Sequence, residues 1–309
     1  MTMFCSCSGT LSNTGVPTKQ RVMGVGVKLI AVRMKADDGT ANAIANDAVI
    51  DQAYLDALIN NEDESKRWFP LGEFKSVDDV RADTATESFT DGTAQLTQQG
   101  VRSYTGWLLN YAASYIKTLK SFQCQSFGVY VVWSCGDITG SVSKDGASLY
   151  PIRVNNYSWD PMLIKANPSA VGKVQLKFEY SQLEKDENLR TISEDEITAD
   201  VLNAEGLLPV KGSVSGISTT GFVAALTVDY DVFLSASKEV VPAWVVGDFA
   251  LQNKTTNSAV TITSVTEAPE GTYTFVIPAQ SSADVLELTN VKTSGQKPGF
   301  GLKETITIP

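Results

Sequence analysis

The side chains able to do chemistry in this chain are carboxylates and thiols, because the sequence contains no histidine. Without imidazole, the commonest general base, the commonest metal ligand and the Ser-His and Cys-His nucleophile pairs are missing. Carboxylate pairs, lysine and tyrosine are the acid–base groups that remain. Four carboxylate clusters stand out: Asp37-Asp38, Glu62-Asp63-Glu64, Asp78-Asp79 and the run from Glu184 to Glu187. Each lies beside turn-forming residues, and none has the spacing of a calcium loop or of a legible glycosidase pair. Charge runs of this kind ordinarily form solvated surface. The four cysteines are Cys5, Cys7, Cys124 and Cys135. Cys5 and Cys7 are too close to bond each other comfortably, and a Cys-x-Cys departs from the C-x2-C pairs of most zinc sites. They read as reduced, partly buried thiols of a protein assembled in a cytosol. Gly24-Val25-Gly26 opens a strand instead of joining strand to helix, so it is no dinucleotide loop. No Walker motif, nucleophile elbow or H-E-x-x-H is present. The chain is therefore expected not to be an enzyme, with no catalytic, cofactor-binding or metal-ligating residue and no cofactor.

The elements around these groups are mainly β. Val25–Met34, Phe127–Trp133, Ile138–Val142, Ser148–Val154 and Lys173–Tyr180 have the composition of strands. In the last of these Val174, Leu176, Phe178 and Tyr180 alternate with polar residues and are expected to face the core. Pro151 marks an edge or a strand boundary. Helical periods are fewer. Ile50, Tyr54 and Leu58 predict a short amphipathic helix within 49–60. Leu108, Tyr111, Ala112, Tyr115 and Leu119 predict a second over about 105–120, with Lys117 and Lys120 near its C-terminus. Its aromatic residues, Trp107, Tyr111 and Tyr115, read as core or subunit contacts. A capping box at Ser193–Glu196 predicts a third helix to about Asn203, ended at Gly206. Residues 1–20 have the composition of an extended arm, and the polar stretch 76–103 fits either Thr-rich strands or a long excursion. From 222 onward, strands at 222–228, 245–249, 260–265, 272–277 and 284–291 follow one another with turn residues between them, the pattern of a small β-sandwich. Residues 209–220 read as linker or first strand, which sets the expected domains at 1–210 and 211–309.

Composition narrows the partners. At 309 residues and 43% hydrophobic content the chain is long and apolar enough for one large or two ordinary domains. The net charge is -10 and the pI about 4.6. Residues 211–309 carry six basic and nine acidic side chains, and residues 1–210 carry the other 19 and 26, so both parts are acidic. Neither offers the clustered Lys and Arg that phosphate backbones require. The N-terminus lacks a basic, apolar signal segment, and no run approaches a membrane span, so a soluble protein made in the cytoplasm is expected.

Several stretches carry a resemblance: Met3–Pro17, Lys66-Arg-Trp-Phe-Pro70, Asp91-Gly92, Gly100-Val-Arg102, Ser121-Phe-Gln-Cys124, Cys135-Gly136 and Glu194–Asp200. Together the chain resembles tail-tube or tail-hub structural proteins of tailed phages that infect Bacteroidota, the crAss-like group and its relatives. The resemblance implies a β-sandwich or barrel core with a flanking helix, and an appended C-terminal immunoglobulin-like β-sandwich. It implies self-association into rings, commonly hexameric, that stack into a tube and meet other tail or connector proteins. DNA would pass through the lumen without specific binding, and an acidic lumen would repel its phosphates. Strand edges of one subunit would extend the sheet of the next, with residues 1–20 and 76–103 as candidate contacts. The expected location is the virion tail, assembled in the bacterial cytoplasm, with no membrane insertion. Two other classes fit the same residues: a decoration, fibre or adhesin protein that binds host glycan through residues 211–309, and an acidic-residue hydrolase.

Overall fold

The computed structural model describes residues 24–109, 111, 113–230, 233–234, 237–291 and 299–309. Up to residue 207 the elements are β1 (Gly26–Arg33), β2 (Ile44–Ala45), α1 (Gln52–Ile59), β3 (Trp68–Pro70), β4 (Ser76–Arg81), β5 (Ala85–Ser88), β6 (Ala94–Gln98) and β7 (Arg102–Leu109). They continue with α2 (Ala113–Lys120), β8 (Phe127–Trp133), β9 (Ile138–Val142), β10 (Ser148–Tyr150), β11 (Ile152–Arg153), β12 (Asp160–Ile164), β13 (Lys173–Glu179) and β14 (Leu189–Ile192). The protein is mainly β, with two short α-helices among the described residues.

Layering follows from which strands are apolar on both faces. β1 and β8 pair antiparallel, and each is a nearly continuous apolar run. Leu29, Ala31, Phe127, Val129 and Val131 face one core. Ile30, Val32, Tyr130 and Val132 face another. The central path of this sheet is β2-β10-β9-β8-β1-β3. On its first face lies a four-stranded antiparallel sheet in the order β12-β13-β7-β4. Tyr104, Leu108, Val174, Leu176 and Phe178 come from that sheet, all fully buried. Tyr104 stacks on Phe178 at 5.1 Å and Phe178 on Trp159 at 5.1 Å. Helix α2 closes this core: Leu119 is buried and its carbonyl accepts from Trp159 Nε1 at 2.8 Å. On the opposite face Leu55 and Ile59 of α1 pack with Val201 and Ala204. Asp51 caps α1 by accepting from the Tyr54 N–H at 2.8 Å, which starts that helix three residues after 49.

Two expected helices change. Residues 102–109 form strand β7, and only 113–120 are helical. Tyr104, Gly106 and Leu108 point inward against β13; Leu108, which begins the helical period with Tyr111 and Ala112, also fits this period of two, and sheet pairing decides. Ser193 does cap, accepting from the Asp195 N–H, but the helix is one 3-10 turn at Glu194–Glu196. It stops because Ile197 bridges Ile50, and the N–H groups of Thr198 and Ala199 turn to the Ile50 carbonyl.

From 208 the strands are β15 (Leu208–Ser218), β16 (Gly221–Val228), β17 (Phe249–Asn253), β18 (Ser258–Ala259), β19 (Ser264–Glu267), β20 (Thr272–Val276), β21 (Val285–Asn290), β22 (Gly299–Phe300) and β23 (Lys303–Thr307). They form sheets β19-β20-β16-β15-β22 and β18-β17-β21-β23. A common core of residues 208–308 lies between them, with Phe222 stacked on Phe275 at 4.7 Å. Residues 209–220 are therefore largely strand. The expected strands at 245–249 and 260–265 shift to β17 and β19, because residues 246–248 form a 3-10 turn in which Asp248 accepts from the Val245 N–H.

Candidate functional site

The four-stranded sheet has one face in the core and one that no other described residue covers. Alternation along β7, β13, β12 and β4 places Thr105, Trp107, Leu109, Lys173, Gln175, Lys177, Met162, Ile164, Asp78 and Val80 on the uncovered side. Trp107 is half-buried there beneath the Lys173 ammonium, 5.3 Å from the ring centroid. Val80 is 49% exposed and Met162 40%. β4 pairs only with β7, and β12 only with β13. Both outer edges of this sheet thus present unpaired backbone groups among the described residues, the usual template for adding another strand.

Between β4 and β7 the chain runs out into a second ribbon, β5–β6, in which every residue from 82 to 99 is exposed. Its tip is a tight turn: the Phe89 N–H donates to the Thr93 carbonyl, and Asp91 Oδ1 accepts from the Thr93 N–H and hydroxyl. Gly92, at φ +84°, takes the left-handed position this turn needs. Those hydrogen bonds hold the Asp91 carboxyl below its ordinary pKa. The ribbon carries Asp83, Glu87 and Asp91 and no basic residue. A two-stranded ribbon with no packed face is marginal in water, so little within the chain besides its own hydrogen bonds holds it.

Ion pairs brace the root of the ribbon. Arg102 meets Asp79 with two hydrogen bonds, at 2.8 and 2.7 Å, and its guanidinium lies 4.7 Å from the Tyr180 ring. Arg81 meets Asp186 at 2.6 Å. Two adjoining hollows, of about 240 and 490 Å³, share Arg81, Arg102, Asp186 and Leu189 on their walls.

The carboxylate clusters are thus spread over the molecule, not gathered at one point. Asp38 pairs with Lys66 at 2.7 Å and Asp37 with Arg33 at 2.9 Å. Asp63 caps the turn at Ser65, and the Glu184 carboxylate accepts from the Arg153 N–H. Each is engaged in local structure, which composition alone could not reveal. Cys124 and Cys135 are exposed thiols, a correction to their expected partial burial, because both sit on turns outside the strands. Cys5 and Cys7 lie outside the described residues. Cys135, Asp137 and Glu194 bring a sulfur and two carboxylate oxygens within 4.8 Å of one another. That donor set suits a borderline divalent ion such as zinc, although Asp137 Oδ1 already accepts from the Glu194 N–H. The sequence reading missed this trio because its members are brought together only by the pairing of β9 with β14.

Among the described residues no helix is long and apolar enough to cross a membrane. Compared with protein-family models, curated proteins and solved structures, the chain matches none.

Proposed function

We propose that this chain is a structural virion protein of a tailed bacteriophage, of the tail-tube or tail-hub kind, that forms stacked homo-oligomeric rings conducting DNA. The observation that supports it best is the four-stranded sheet with two unpaired edges and an uncovered face, from which a fully exposed ribbon projects. Pairing β4 of one copy with β12 of the next would satisfy both edges and close the sheets into a barrel, with six copies per ring as the resemblance implies. On this reading the two sheets around Tyr104 and Phe178, with α2 beside them, are the tail-tube-like core. Residues 211–309 are an appended immunoglobulin-like sandwich; residues 1–20, expected to be an arm, lie outside the described residues.

The uncovered sheet face then lines the lumen. It mixes Asp78, Asp160 and Glu179 with Lys173 and Lys177, so on this reading the surface offered to DNA is close to neutral, in place of the acidic lumen expected from the overall charge. A nearly neutral lining without a lysine or arginine cluster gives phosphates no place to stick, which suits passage without specific binding. The role is architecture, with no turnover and no cofactor.

A second reading, a decoration, fibre or adhesin protein binding host glycan through the C-terminal sandwich, draws on the exposed Phe233 (95%) and Leu234 (67%) and on Val245 (64%). The test is electron microscopy with light scattering on the purified chain. Rings or tubes support the tube reading. A monomer at every concentration, together with glycan-array binding by residues 211–309, supports the other.

A further inference from the structure

The smaller of the two hollows, about 240 Å³, lies between the root of the β5–β6 ribbon and the segment 180–189. The ribbon returns close against its own start. A side chain at Gly100 would run into the Ala82 carbonyl, so this approach requires glycine. Arg81 pins the return by donating from Nη1 to the Gly100 carbonyl at 3.2 Å. Gln98 and Gln99 are thereby held in one wall. The opposite wall carries Gln182 and is fixed just before it: the Tyr180 and Ser181 N–H groups donate to the Arg102 and Arg153 carbonyls, both at 2.9 Å. Ile152 and Leu189, both nearly buried, add a small apolar patch.

The charges around this hollow are already matched. Arg102 is gripped by both oxygens of Asp79, and Arg81 by Asp186. Lys185 lies 3.4 Å from Glu187, and the Glu184 carboxylate accepts from the Arg153 N–H at 3.3 Å. An anion would have to take an arginine from its carboxylate, whereas a neutral ligand leaves these pairs intact. What remains unspent is neutral hydrogen-bonding capacity. The Gln98, Gln99 and Gln182 amides bond no other described residue. The Tyr180 hydroxyl, buried in the same wall, also lacks a hydrogen-bond partner among the described residues, and burial pushes its pKa up, which keeps it a donor. A primary amide both donates and accepts, as a sugar hydroxyl does. The apolar patch suits the C–H face of a sugar ring. The volume is below the roughly 300–1,000 Å³ of pockets for drug-sized ligands, so the hollow holds one small unit. The geometry points to a binding site for one neutral sugar ring, free or at the end of a glycan. The site belongs to the first part of the chain, is distinct from residues 211–309, and depends on neither reading of the overall function.

Saturation-transfer NMR on the full chain tests it. The probes are glucose, galactose, mannose and N-acetylglucosamine, each as the free sugar and as its methyl glycoside. Glucose 6-phosphate and N-acetylneuraminate serve as anionic comparators. At least one neutral ring is expected to bind in the millimolar range, and the anionic sugars tenfold or more weakly. Two variants carry the assignment to the hollow: Q99A/Q182A, which removes amides from both walls, and Q182W, which fills the space. Circular dichroism checks that each is folded. Both are expected to weaken binding tenfold or more. A preference for the glycoside assigns the end of a glycan, and a preference for the free sugar assigns a small solute; either supports the neutral ring. No neutral sugar bound at about 20 mM, or tighter binding of the anionic sugars, overturns the proposal. Binding unchanged in both variants also overturns it, because the sugar then sits elsewhere on the chain.

Discussion

Lys28, on β1 and 4% exposed, donates from Nζ to the Leu202 carbonyl at 2.7 Å. That carbonyl belongs to the irregular segment that leads from the 3-10 turn at 194–196 into β15, the strand that opens the C-terminal core. Burial lowers the proton affinity of the lysine, while the carboxylates of Glu205, Asp200 and Glu73 act to restore it. The result is a buried cation holding the connector between the two parts of the chain. Replacing it by Met keeps the length and removes the donor. Lys28→Met is expected to cost about 2 kcal/mol, the range for a hydrogen bond to a charged group. It should also speed glutamyl-endopeptidase cleavage after Glu205; an unchanged cleavage rate would show that the lysine does not restrain this segment.

Trimming the ribbon should separate folding from assembly. Residues 84–98 are exposed, so replacing them with a two-residue Asn-Gly turn is expected to move stability by no more than about 0.5 kcal/mol. The same chain should lose its self-association. Calorimetry and light scattering check the pair of outcomes, and a trimmed chain that still forms stacked assemblies would remove the ribbon from the assembly contact.

The C-terminal core can be broken by itself. Phe275 is 1% exposed, stacked on Phe222 and edge-on to Phe249 at 4.8 Å. Phe275→Ala is expected to cost about 3–5 kcal/mol through lost transfer energy and the cavity left behind. Because every buried residue of that cluster comes from 210 onward, calorimetry should show one transition lowered and one unmoved. A single lowered transition would mean that the two parts unfold together.

Stability should be flat near neutral pH and fall in acid. No histidine titrates between the carboxylates and the amines. Asp38 is depressed by its bond to Lys66, Asp63 by Ser65, Asp91 by Thr93 and Glu287 by Lys254. A folded value below the unfolded one means stabilisation that is present above the ordinary carboxylate pKa and lost as pH falls through the depressed value. Urea midpoints should therefore hold steady from about pH 5.5 to 7.5 and drop below about pH 4. A step near pH 6.5 would show that a perturbed thiol or carboxyl group governs stability there and would overturn the prediction.

Strand composition was legible wherever the environment matched the period. Lys173–Tyr180 alternates because one side of β13 is in the core, and Phe127–Trp133 is continuous because both sides of β8 are. The absence of histidine and the low content of cations were likewise properties of the sequence alone, and they bounded the chemistry before any fold was known. The tertiary structure decided what local pattern could not. Leu108 fits a helix or a strand equally well, and only the neighbouring β13 selected the strand. Ser193 capped a turn as its sequence required, but Ile197 was drawn into a bridge with Ile50 before a helix could grow. The sheet face and the two edges left open among the described residues, and the projection of the ribbon between β4 and β7, come from the order of strands in a sheet. That order is a contest among long-range pairings, and no short window of residues carries it.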